Sequence, residues 1–133
     1  MRYIYFLLIS FLCTSCVTNN IKTIKGQWKQ NFLSYKSNPT IIIAPKDEPL
    51  ITISKKKSKP IIEFDFSDGY DNDKTDSVFF NFPNLKFRKI NLDQSSNYYD
   101  LVYQPICDCF LGEMHSFSGN VLNIKLNRIP KTK

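Results

Sequence analysis

The residues able to do covalent or metal chemistry in this chain are few: four cysteines and one histidine. Cys13 and Cys16 close the opening stretch "MRYIYFLLISFLCTSC", and Cys107, Cys109 and His115 fall within "ICDCFLGEMH". Thiolates and imidazole are zinc-type ligands, and Cys107, Cys109 and His115 share a parity that puts them on one face of a strand. At a rise of about 3.3 Å per residue, however, His115 falls about 20 Å from Cys109, far beyond common ligation. No metal site is expected. A disulfide between Cys107 and Cys109 is the second chemistry. Residues two apart in an extended strand lie about 7 Å apart, the upper limit for a bridge, so bonding requires a bend between them. Such a bond would be readily reduced, which is the route to a redox role. Against both stands the plainer reading of two small cysteines packed inertly in a core.

Acid–base or nucleophilic catalysis has little to work with. His115 has no acid or serine partner close in sequence, and Glu63 and Asp65 point to solvent by strand parity. No catalytic residue and no cofactor is assigned, and the chain reads as a non-enzyme. The acidic stretch "DGYDNDKTD" departs from the calcium-loop pattern: counted from Asp71, Asp76 takes the place of the glycine and Phe82 the place of the glutamate. It reads as a solvated hairpin tip. "SKKKSK", residues 54–59, reads as a charged turn between two strands, with phosphate headgroups as its candidate contact. The formal net charge of +6 suits solubility as readily as attraction to phosphate, and no nucleic-acid partner is implied.

These side chains must be carried by something, and the N-terminus shows how the chain is delivered. Arg2 precedes an apolar run of about fifteen residues, short of the about twenty that cross a bilayer, and small polar residues end it. With Thr14 and Ser15 placed before Cys16, the stretch resembles a bacterial lipoprotein signal peptide. Cys13 follows bulky Phe11 and Leu12 and does not fit the acceptor position. The alternative is an ordinary cleaved signal without lipid. The resemblance implies cleavage after Ser15, diglyceride and palmitate groups on Cys16, and membrane attachment through that lipid. The domains are then a signal peptide (1–15), a lipidated N-terminus and tether (16–25) and one folded domain (26–133). No aspartate follows Cys16, so the resemblance implies the outer membrane, facing the periplasm.

Beyond the tether nearly every apolar stretch alternates with period two, the mark of half-buried strands. "PIIEFDF" puts Ile62, Phe64 and Phe66 on one face, "SVFFNF" puts Val78, Phe80 and Phe82, and "NVLNIKLNR" puts Leu122, Ile124 and Leu126. Further candidates are "GQWKQNFL", "TIII", "LITIS", "LKFRKINL", "YYDLVY" and "CDCFLGEMHSF". The fourth of these, 85–92, changes parity, which a β-bulge near Arg88 and Lys89 would restore. The expected fold is all-β, an antiparallel meander of about eight to nine short strands closed into a barrel, with a β-sandwich as the alternative.

"IKGQWKQ" opens the first strand, and with Gly26 and Trp28 in a Gly-x-Trp arrangement the chain resembles a lipocalin-like (calycin) domain. The resemblance implies that the indole closes one end of the barrel and that Arg128, near the end of the last strand, stacks on it. Parity independently puts Arg128 on the inward face of its strand, where a guanidinium needs a partner such as an aromatic face. The function implied is a periplasmic binding module for a small apolar ligand. The alternative is an interaction or inhibitor lipoprotein that engages another envelope protein, with a filled core and no ligand. Five inward rings, Phe32, Phe64, Phe66, Phe80 and Phe82, argue for a narrow cavity in a barrel of about eight strands.

Overall fold

The computed structural model describes residues 21–43, 49–66 and 74–131, except the side chain of Phe32. Cys16, the signal stretch before it and most of the acidic stretch therefore lie outside the described residues. Eight strands follow one another: β1 Gly26–Tyr35, β2 Leu50–Lys56, β3 Lys59–Asp65, β4 Lys74–Asn81, β5 Asn84–Ile90, β6 Ser96–Gln104, β7 Cys109–His115 and β8 Val121–Arg128. All pair antiparallel in one sheet of order β3-β2-β1-β8-β7-β6-β5-β4. The sheet curls until its edges, β3 and β4, face each other. Among the described residues no ladder joins these edges, although Thr75 Oγ1 donates across the gap to the Ile62 carbonyl. The fold is thus an all-β, nearly closed barrel with one unsealed seam.

The alternating residues fill its interior. Ile62 and Phe64 of β3, Leu85 and Phe87 of β5, Tyr99, Leu101 and Tyr103 of β6, and Leu122, Ile124 and Leu126 of β8 are all buried in one cluster. Phe66, Phe80 and Phe82 are partly buried against it. Phe87 stacks on Tyr99 with ring centroids 4.6 Å apart, and both approach Phe64. Glu63 and Asp65 face solvent, as their parity requires.

Three local expectations are corrected. Residues 40–43 do not form a strand: Ile42 makes one bridge to Ser34, and Ile41 and Ile42 stay exposed after the turn that Asn38 organises by accepting from Thr40. No bulge interrupts β5, whose pairing with β6 is continuous from Asn84 to Ile90. The irregularity sits instead on its other neighbour, β4, between Asp76 and Phe79, where Ser77 has a positive φ. Unbroken alternation then turns Lys89 inward, buried, with Nζ 5.1 and 5.0 Å from the ring centroids of Phe64 and Phe66, so two aromatic faces help offset the desolvation of the ammonium. Leu92 is left exposed in the following turn. Finally, residues 21–24 are not tether but a helical turn whose Ile21 and Ile24 are buried. These two side chains form an apolar plug at the end of the barrel where Trp28 lies.

Candidate functional site

Two features of the barrel have the geometry to act: the end closed by Trp28, and the seam. Strand direction places at the closed end the helical turn 21–24, the start of β1, the end of β8, and the turns 57–58, 82–83 and 105–108.

Trp28 is fully buried, donates from Nε1 to the Ile24 carbonyl at 3.0 Å, and packs edge-on against Phe110 and Tyr103. Arg128 covers its face, with Cζ 4.1 Å from the ring centroid. The guanidinium is also bonded within its own plane. Nε donates to Asp108 Oδ2 at 2.7 Å, Nη1 to the Lys25 carbonyl at 2.7 Å, and Nη2 to the Thr23 carbonyl. Only a planar fork can stack on a ring and make three divergent bonds at once, which is why a lysine would not serve here. Gly26 makes room: its φ is +148°, and a Cβ there would come 2.7 Å from Arg128 Nη1. Trp28, Arg128 and Gly26 are thus one unit, tying both ends of the barrel chain together.

Asp108, the partner of Arg128, was not singled out by the sequence. It sits at φ 45° between Cys107 and Cys109, which are joined by a disulfide with Cα atoms 5.2 Å apart. The expectation of inert core thiols is replaced here by a bond, because the turn at Asp108 supplies the bend that an extended strand lacks. Cys109 is buried and Cys107 is exposed. The carboxylate accepts from Tyr103 Oη at 2.7 Å as well as from Arg128. Partial burial opposes its charge, yet the Arg128 and Tyr103 hydrogen bonds outweigh this and hold its carboxyl below the ordinary value. Burial first, and then the Asp108 carboxylate, push the Tyr103 hydroxyl up.

A depressed folded-state value means that Asp108 contributes stability above its unfolded pKa of about 3.9, and that this is lost as pH falls through the folded value. The side chain is half exposed, so the contribution is at most about 1 kcal/mol. In urea titrations from neutral to acid pH, Asp108→Asn is expected to be less stable than the wild type at pH 7, with the gap narrowing below about pH 4. A gap that stays constant with pH would show that the carboxylate charge is not what holds Arg128.

The seam offers a different surface. Where β3 and β4 diverge toward the closed end, a cleft of about 330 Å³ is lined by Ile21, Pro60, Val78, Phe79, Phe80 and Phe82 among others. It adjoins a second, of about 470 Å³, shared with Lys56, Lys57, Lys59 and Thr75. The lining is apolar on the barrel side and cationic at the rim, the composition of a site that holds a small apolar body. Phe80 and Phe82, partly buried against the core cluster, also form its wall.

The remaining candidates are not brought together. His115 lies at the opposite end of β7 from the disulfide, exposed, with Nε2 3.7 Å from Glu113 Oε2. No group of metal-ligating side chains occurs among the described residues. Asp76, from the acidic stretch, pairs with Arg88 through Oδ1 at 2.6 Å and again through Oδ2; these hydrogen bonds hold its carboxyl below the usual range. No protein-family model matches the chain, and no curated protein matches its sequence.

Proposed function

We propose that the protein is a lipid-anchored binding module of the envelope, held at the outer membrane facing the periplasm by acyl groups on Cys16. Its barrel is lipocalin-like, and it takes a small apolar ligand in the β3/β4 seam. The observation that carries this reading is the apolar cleft where the barrel fails to seal. The interior of the barrel is packed by Phe64 and, at the closed end, by Trp28 and Phe110, so a ligand is better accommodated between the edges than along the axis. Catalysis is no part of the proposal.

Mass spectrometry of the organic extract from protein purified out of its native envelope is expected to show one apolar species. Val78→Lys, which puts an ammonium into the cleft from a half-buried position, is expected to lose it while the far-ultraviolet circular dichroism stays that of the folded barrel. An identical extract from both proteins, or an empty one from the wild type, overturns the reading. Cys16→Ser is expected to move the protein from the membrane to the soluble fraction, and unchanged membrane association counts against the anchor.

A second reading has its own observation. Ile41, Ile42, Leu92 and Phe117 are large, apolar and exposed on the loops of the end opposite Trp28. With a packed interior, such residues suit contact with another envelope protein. An empty extract together with loss of a protein partner on Ile42→Asp and Phe117→Asp favours this alternative.

A further inference from the structure

The charge of the barrel is unevenly distributed along its axis. Lys22 lies in the helical turn through which the described chain enters and Lys25 follows it, and Lys55, Lys56, Lys57 and Lys59 crowd the β2–β3 hairpin at the same end. Among the described residues the only carboxylate on the turns of this end is Asp108, which Arg128 occupies. The ammonium groups of the four hairpin lysines make no hydrogen bond or ion pair among the described residues, and all four side chains are exposed. Asp65 and Asp93 lie at the opposite end. A sequence-local type of turn explains how the hairpin holds its lysines out: Lys57 and Ser58 both have positive φ, as a two-residue hairpin loop requires. Across the same end, on the turn 105–108, Ile106 stands fully exposed.

We infer that this closed end is a membrane-apposed face, with its lysines on the phosphate groups of anionic phospholipids and Ile106 at the headgroup boundary. The inference rests on the lipid anchor proposed above, since Cys16 lies five residues before Ile21 and the entry point of the chain is on this face. Basic side chains near a bilayer gain from its negative surface potential, and an exposed apolar side chain at the same end gains by leaving water. The anchor supplies attachment; the face supplies orientation. It sets the barrel upright, with the end bearing Ile41, Ile42 and Phe117 directed away from the membrane.

The full-chain protein, purified from its membrane, is reconstituted in nanodiscs of phosphatidylcholine alone or of phosphatidylcholine mixed with phosphatidylglycerol. Lysine acetylation by a membrane-impermeant reagent is then followed by peptide mass spectrometry. Lys55, Lys56, Lys57 and Lys59 are expected to react about fivefold or more slowly in the anionic discs than in the neutral ones. Lys36 and Lys74, at the other end, are expected to react alike in both. The protection is expected to vanish at about 1 M salt, where the Debye length is about 3 Å. Hairpin lysines that react at one rate in both compositions, whether fast or slow, overturn the inference. The mass of the N-terminal peptide reports acylation separately. An unacylated chain overturns the anchor alone, and the face then stands or falls on protection that depends on phosphatidylglycerol.

Discussion

Gly112→Ala is expected to destabilise the protein by about 3 kcal/mol or more, or to prevent it from folding. Gly112 lies on β7 opposite Leu101 of β6. A Cβ there would stand 2.0 Å from the Asp100 carbonyl oxygen and 2.8 Å from Leu101 Cα. Both neighbours are backbone, so no rotamer change relieves the overlap. Strand β6 has no room to retreat, because it is paired over its length with β5 on its other side. The substitution must therefore part β6 from β7 near the middle of the ladder, and the lost hydrogen bonds add to the strain. Urea unfolding measures the effect, and a midpoint like the wild type's would show that β6 and β7 pack more loosely than they do here.

The second large effect is expected at the closed end. Trp28→Ala should cost about 3–5 kcal/mol, as for other fully buried large aromatics. Arg128→Ala removes the stacked guanidinium and strips Asp108 and the Lys25 and Thr23 carbonyls of a shared donor. Because the two side chains touch, the double variant should be less unstable than the sum of the singles by about 1–2 kcal/mol. Arg128→Lys should recover little, since an ammonium cannot bond three ways in a plane while covering the ring. Additive single effects would mean that the guanidinium and indole are neighbours without being coupled.

The strands were legible because most of them alternate strictly: Leu122, Ile124 and Leu126 against Asn123, Lys125 and Asn127 need no tertiary information to be oriented. Alternation fails where backbone irregularity intervenes. In β1 the register against β8 shifts between Gln30 and Phe32, and burial passes from Gln30 to Leu33, so parity read from Trp28 runs out halfway along the strand. In β5 the parity break was real, but its cause was strand termination at Ile90, and the inward position went to a lysine. A charged residue is not chosen for a core from its own properties; the two phenylalanine faces that accept Lys89 come from another strand and its end. The same holds for Asp108. Its role depends on Arg128 and Tyr103, twenty and five residues away, and the only local signal was its place between two cysteines. The seam was not legible at all, because closure depends on the curvature of all eight strands together.

The order of the sheet also governs when the protein can form. Every pair but one joins strands adjacent in sequence; the exception sets the first strand against the last. Until β8 has been synthesised, β1 offers a bare row of amide and carbonyl groups, open to mispairing. Closing so long a loop is slow, and nothing local rewards it beforehand. The timing of maturation is accordingly set by the final strand, and a chain interrupted before Val121 has no native substitute for the missing partner of β1.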